Sequence, residues 1–295
     1  MEELLNVIVA GLVLGGIYAL VSVGLNLVFG VLRVVNFAHG EFIMLSMYAT
    51  YWLFAGLGIN PFLAIFLVMP LMFMLGMALQ AGIIRRLQNE HNMQLFATFG
   101  LLMAIQNIVL GATAGQAKGV DWEFARHVIS LGGVNVNVSR LMALVAATAI
   151  AVLMHFFLRN TMQGKAIRAL IQDRRAARAV GINVERMHML TFGAGIALAG
   201  LAGALFTPIY TLTPTIGGDF ILVAFAVVVL GGLGSTWGAY IGGLIIGLLD
   251  AFAGYYVDPA LKQAIWFLIF WLTLIVRPSG LLGQVGAEEV GFREQ

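Results

Sequence analysis

The chain has 295 residues, 61% hydrophobic and 10% charged, with a formal net charge of +2 and a mean hydropathy of +0.96. A soluble domain carries about 25% charged residues, so this composition excludes a water-soluble enzyme, and no contiguous mixed stretch remains for a nucleotide-binding or receptor domain. The fold class implied is all-α, a polytopic integral membrane protein: about 180 apolar residues, at about 20 per crossing, supply eight or nine spans.

In chain order, apolar runs predict spans over residues 4–29, 42–55, 62–81, 93–113, 140–158, 189–210, 220–233, 237–253 and 261–276, within one membrane domain covering 1–295. The first run is too long for a signal-peptide core and lacks a basic leader, so it is read as a retained span. Two places are ambiguous. Residues 31–41 are polar at their centre, and 220–233 is short for a full crossing; either segment is re-entrant or broken.

Orientation follows from Lys and Arg, which resist translocation in short loops. Seven of the 16 basic residues (Arg159, Lys165, Arg168, Arg174, Arg175, Arg178 and Arg186) fall in the loop 159–188, and Arg85 and Arg86 lie in another. Both loops are expected to be cytoplasmic, which turns residues 114–139 outward and leaves Arg277 and the tail to 295 inside. With nine crossings the N-terminus is outside.

Glycine numbers 36, well above the usual ~7%. Gly231, Gly232, Gly234, Gly238 and Gly242 form the densest group, expected to pack helices closely around a sharp turn at Ser235 and Thr236. The 14 methionines read as packing material.

Energy coupling by this chain alone is excluded, because the phosphate-cradling G-x-x-x-x-G-K-[ST] motif is missing: Gly164-Lys165 is followed by Ala166, and Arg159 occupies the place of the first glycine. No catalytic residue is identified. His39, His91, His127, His155 and His188 are scattered singly, and cysteine is absent, so no metal-ligand spacing occurs. The sequon at Asn137 carries no weight.

The cytoplasmic loop reads as two short helices. Residues 165–171 form the first; Asp173 is a natural N-cap for 174–180, and Gly181 a natural stop. The small apolar face of Ala176, Ala177 and Val180, flanked by arginines, suits a knob inserted into a groove on another protein. The alternative is a basic loop lying on anionic lipid. The other polar feature is Asn36, His39 and Glu41 between two apolar runs. Facing lipid, a central charge costs on the order of 3 kcal/mol, so these residues line a substrate route, form a helix hinge, or cap a cytoplasmic connector. Asp219 and Asp250 are expected to sit at the interface or to cap helices.

Four stretches resemble one family in order along the chain. Residues 11–41, from GLVLGG to NFAHGE, 161–203, from TMQGKAIRAL to GLAG, 224–247, with LGGLGSTWGAY, and 277–283, RPSGLLG, are similar to the LivH-type permease subunits of bacterial branched-chain amino acid ABC importers. The resemblance implies an all-helical ABC importer permease in the bacterial inner membrane. Its implied partners are a homologous second permease, two cytoplasmic ATPase subunits that use ATP and magnesium, and a periplasmic substrate-binding protein. No cofactor on this chain and no nucleic acid partner is implied. The loop 159–188 falls where the family's ATPase-coupling loop lies, assigning coupling to Arg168, Asp173, Ala177 and Gly181. The chain departs from the family pattern at Ser46-Met47, where Gly-Ala is usual, at Val223, where Lys is frequent, and at Asp250, where Glu is frequent. The implied action is import of leucine, isoleucine or valine by alternating access. The alternatives are urea, amides or other amino acids for the same machinery, an ion-coupled secondary transporter using Glu41 and Asp250, or a passive channel.

Overall fold

A computed structural model describes residues 2–87, 90–131, 134–258 and 261–283. The expected cytoplasmic placement of the tail beyond 283 lies outside the described residues. The elements are α1 (Glu2–Leu32), α2 (His39–Leu57), α3 (Pro61–Gly82), a 3-10 turn (Ile84–Leu87), α4 (His91–Thr113), α5 (Glu123–Arg126), the hairpin β1 (Val128–Leu131) and β2 (Val134–Asn137), α6 (Val138–Asn160), α7 (Met162–Gln172), α8 (Arg174–Ala179), α9 (Val184–Phe206), α10 (Ile216–Gly231), α11 (Thr236–Tyr256) and α12 (Lys262–Val276).

Each of the nine expected spans meets a helix. Among the described residues, six helices (α1, α3 with its 3-10 extension, α4, α6, α9 and α11) are long and apolar enough to cross a membrane by themselves, and α10 and α12 are shorter apolar helices. The remaining one, α2, has 19 residues and begins earlier than expected, so His39 and Glu41 fall in its first turn rather than between helices.

α1 and α9 form the centre, with 56% and 78% of their most apolar windows buried, whereas α3, α4 and α6 bury about a fifth or less of theirs. The peripheral helices therefore present Phe66, Phe96, Phe99, Val145, Leu153 and similar side chains outward, as lipid contact requires. α1 and α11 run antiparallel at backbone contact: a Cβ on Gly15 would lie 2.7 Å from the Leu244 Cα, and one on Gly30 2.8 Å from the Gly234 Cα. Buried Met44, Met47 and Met72 fill the core beside α9.

The turn between α10 and α11 lies at 232–235, as the glycine run predicts. Gly232 and Gly234 have φ of +108° and +82°, values that favour glycine. Ser235 caps α11 by accepting the Gly238 N–H at 3.1 Å. Gly231 and Gly238 oppose each other so closely that a Cβ on either would meet the other's carbonyl near 2 Å, at 2.1 and 2.2 Å, and Gly242 abuts the Val227 carbonyl. The closing segment docks here too, Leu281 and Leu282 donating backbone N–H groups to the Leu230 and Gly231 carbonyls at 2.8 and 2.9 Å.

The segment 114–139, expected to face outward, folds among its described residues as α5 and the antiparallel strands β1 and β2. Trp122 and Phe124 pack edge-to-face with Phe62 at the start of α3, with ring centroids 5.0 and 6.1 Å away. Aromatic rings of this kind suit the membrane–water boundary.

Candidate functional site: the cytoplasmic helix pair and the broken helix

α6 passes into the basic loop, expected to be cytoplasmic, almost without a linker. Thr161 accepts the Gly164 N–H at 2.9 Å to cap α7, and Gly164 lies so close to the Phe157 carbonyl and Leu158 Cα that a side chain there would collide with α6 backbone. α7 buries Ile167 and Leu170 and exposes Lys165 and Arg168; Arg168 Nη2 donates to the Arg159 carbonyl at 3.4 Å. Asp173 then caps α8, one carboxylate oxygen accepting the N–H groups of Arg175 and Ala176 at 2.7 and 2.9 Å. Those two bonds, Ala176 first, hold the Asp173 carboxyl below its ordinary range. Gly181 takes φ +88°, and Asn183 starts α9 by accepting the Arg186 N–H at 2.9 Å. Every helix end in the loop therefore has a partner for its free backbone groups.

One expectation is corrected. Ala177 is not a knob for another protein: it is buried against Leu170 and Val184 in the loop's own small core. Val180, 77% exposed, and Ala176 with Arg175 and Arg178 form the outward surface instead. The six-residue α8 packs one face inward because that core is what keeps so short a helix folded.

The basic loops share one face of the bundle. Arg85, after α3, pairs with Glu185, at the start of α9, at 2.5 Å. Around them a cleft lined by Gln80, Ala81, Arg85, Asn183, Arg186 and Met189 opens between the end of α3 and the start of α9, joining the two basic segments that the charge bias expects on one side.

The break between α1 and α2 lies within the bundle. α1 stops at Arg33, which takes φ +54°, and the chain turns back inward as non-helical backbone through residue 38. Irregular backbone at membrane depth must be satisfied by protein, and Thr98 on α4 supplies this: its hydroxyl donates to the Val35 carbonyl at 3.2 Å and accepts the Phe37 N–H at 3.4 Å. Asn36 accepts the Ala38 N–H at 3.2 Å, and the His39 Nε2 meets the Val21 carbonyl of α1 at 3.1 Å. α2 thus begins beside the middle of α1. Glu41, 1% exposed, lies against Gly217 at the start of α10, where a Cβ would sit 2.7 Å from its carboxylate. Asn36, His39 and Glu41 are all sealed from solvent, and one polar atom of each, Nδ2, Nδ1 and Oε2, has no partner. They occupy a junction among α1, α2 and α10, and line neither the cleft at Arg85 nor that between the ends of α2 and α4.

One further polar residue escaped the sequence reading, and the expected place of another is corrected. Asn26, inside the first apolar run, binds the α10–α11 turn through three backbone groups: it donates to the Gly232 and Ser235 carbonyls at 3.3 and 2.6 Å and accepts the Gly234 N–H at 2.6 Å. A lone Asn within an apolar span was the available signal. Asp250 is neither interfacial nor a cap. It is 2% exposed and pairs with Lys262 of α12 at 3.2 Å, with the Tyr18 hydroxyl donating to the same oxygen at 3.5 Å. Asp219 is exposed in the first turn of α10, where a negative charge suits the helix dipole.

A family model described as "Branched-chain amino acid transport system / permease component" matches residues 7–274. The chain is 31% identical over 294 residues to the high-affinity branched-chain amino acid transport system permease protein LivH of Salmonella typhimurium, covering 95% of this chain and 96% of the relative. It is 30% identical to LivH of Escherichia coli K12, with coverage of 95% and 96%, and 29% identical to BraD of Pseudomonas aeruginosa, with coverage of 97% and 98%. No solved structure matches the chain. A polytopic helical bundle with a capped helix pair in its basic loop, matched over nearly its whole length by these permeases, belongs to the branched-chain amino acid transport permease family.

Proposed function

We propose that this permease is the membrane-spanning subunit of an ATP-driven importer in the bacterial inner membrane, moving leucine, isoleucine or valine inward by alternating access. ATP and magnesium would be used by two cytoplasmic ATPase subunits, a homologous second permease would complete the membrane part, and a periplasmic binding protein would deliver substrate. The observation that carries the reading is the helix pair α7–α8. A loop that only bound anionic lipid would need charge but no capped helices, no internal core and no left-handed stop; α8 has all three. Such a rigid element can transmit a push from another protein to α6 and α9, to which it is joined with almost no slack. Arg168, Asp173 and Gly181 act here by holding its shape, and Ala177 by anchoring it, while Val180, Arg175 and Arg178 make the contact.

Mechanistically, closure of the ATPase pair would displace α8, and α9, at the centre of the bundle, would carry that displacement to α1, α2 and α3. The junction at Asn36, His39 and Glu41 is where such a movement would be absorbed, since α2 is joined to α1 by extended chain rather than by continuous helix.

The test is ATP-driven leucine uptake in proteoliposomes containing the chain with its co-purified ATPase, second permease and binding protein. Uptake that depends on ATP and falls to background with Val180→Arg, at unchanged expression, supports the reading. Uptake by this chain alone under an ion gradient, without ATP, overturns it.

A further inference from the structure

The outer ends of α2 and α4 enclose a second cleft, of roughly 520 Å³, within the ~300–1,000 Å³ range of small-molecule sites. Tyr51, Trp52 and Ala55 form one wall, Thr113 part of the other, and Gln116 and Lys118 the rim. None of its lining residues is acidic, and Lys118 is the cation among them.

The residue that carries the cation is anchored through its backbone. Lys118 donates its N–H to the Leu212 carbonyl at 3.0 Å and accepts the Leu212 N–H at 2.8 Å, and Leu212 is fully buried. This bridge staples the loop after α4 to the loop between α9 and α10. The Lys118 ammonium in turn donates to Gln116 Oε1 at 3.0 Å. An amide oxygen has two lone pairs, so Gln116 can accept a second donor. Below the cleft the Tyr48 ring packs 5.8 Å from Trp52, its side chain buried and its hydroxyl facing Thr113.

We propose that this cleft is an outer-facing site for the zwitterion of an apolar amino acid: carboxylate on Lys118, ammonium on Gln116, and side chain against Tyr51, Trp52 and Ala55. A fixed cation beside an uncharged acceptor discriminates for a ligand carrying both charges. The absence of acid in the lining disfavours cationic solutes. Aromatic walls give an aliphatic side chain apolar area without a tight enclosure, so the ligand leaves easily. Urea and simple amides lack the carboxylate that Lys118 requires. The site rests on the importer function proposed above, whose substrate it would receive.

The chain contains no cysteine, so Ala55→Cys places a single thiol on the cleft wall. In right-side-out membrane vesicles carrying the full chain and its partners, a membrane-impermeant maleimide reads that thiol. Leucine at millimolar concentration is expected to slow labelling severalfold, and leucinamide, which lacks the carboxylate, to leave it unchanged. Lys118→Gln, which keeps the backbone bridge, is expected to remove the protection, and Lys118→Arg to retain it. Protection equal for leucine and leucinamide, protection that survives Lys118→Gln, or a thiol that never labels overturns the site. ATP-driven uptake in the same vesicles separates the two proposals. Uptake without protection rejects the cleft and leaves the importer intact; protection without ATP-driven uptake rejects the importer and retains the amino acid site.

Discussion

Asn26 on α1 accepts the backbone N–H of Gly234 at 2.6 Å across 208 residues of sequence, and the same side chain holds the Ser235 carbonyl at 2.6 Å. One amide therefore satisfies both polarities of a tight turn within the bundle. Replacing it with Leu leaves those groups without that partner at a half-buried turn, at a cost toward the lower end of about 1–3 kcal/mol. Asn26→Leu is expected to lower the unfolding midpoint in detergent, whereas Asn26→Asp, which still accepts the Gly234 N–H but donates nothing, should lose less. Equal midpoints for Leu and wild type would show that the turn finds other partners.

Gly40 and Gly217 join α2 to α10 at backbone distance. A Cβ on Gly40 would lie 2.0 Å from the Gly217 carbonyl oxygen, and neither partner is a side chain that can swing aside. Gly40→Ala must part the two helices, and overpacking of this kind costs about 1–3 kcal/mol or more. The comparison is Gly56→Ala near the outer end of the same helix, where nothing lies within 4 Å; there the gain in helix propensity is about 0.5–1 kcal/mol. Thermal unfolding of the two variants side by side should give shifts of opposite sign.

These two cases mark what a single sequence discloses. The nine apolar runs were legible because lipid imposes a composition on any helix it touches, and each run meets a helix. The Asp173 cap and the Gly181 stop were legible because capping is local, set by residues two or three apart. The partners of Asn26, Thr98 and Asp250 were not, since each bonds to a segment far along the chain and nothing local names it. The inward turn of Ala177 was hidden for a related reason. The face of a six-residue helix is decided by its neighbours Leu170 and Val184, and a small apolar stripe fits an inner or an outer surface equally well. The break before α2 was visible as polarity but not as geometry, because the same residues suit a hinge, a route lining or a cap.

Asp250 and Lys262 tie α11 to α12, the Asp buried and the Lys side chain 32% exposed. Removing one member of a buried pair is strongly destabilising because the remaining charge is stranded, whereas removing both is often tolerated. Lys262→Met is therefore expected to destabilise by about 2–4 kcal/mol, near the lower end of the usual range because Lys262 is partly hydrated. Asp250→Asn combined with Lys262→Met should recover most of that loss. The double-mutant cycle, read from unfolding midpoints, checks the coupling. The pair also bears on ion-coupled transport: an acid neutralised by a fixed lysine is a poor proton or sodium carrier, so Asp250→Asn should leave ATP-driven uptake insensitive to the membrane ion gradient.

Asp173 gives the sharpest separation of shape from charge. Its carboxylate accepts two backbone N–H groups of α8, and an N-cap replaced by Ala costs about 0.5–2 kcal/mol of helix stability. Asp173→Ala should fray α8 while leaving the membrane helices, and therefore expression and bulk unfolding, nearly unchanged. Asp173→Asn keeps an oxygen acceptor in the same place and should preserve α8 despite losing the charge. If the helix pair transmits ATPase movement by being rigid, leucine uptake follows the cap: low for Ala, near wild type for Asn. If instead the loop acts through its electrostatic balance, the two variants remove the same charge and lose uptake equally. The pH dependence has a defined sign. Because the folded carboxyl lies below its ordinary value, its contribution is complete above the unfolded pKa and disappears only as pH falls through the lowered folded one. Across the neutral range the wild-type loop should therefore hold its helix content, read as hydrogen-exchange protection at Arg175 and Ala176 relative to the intrinsic rate at each pH, and that protection should fall only in acid.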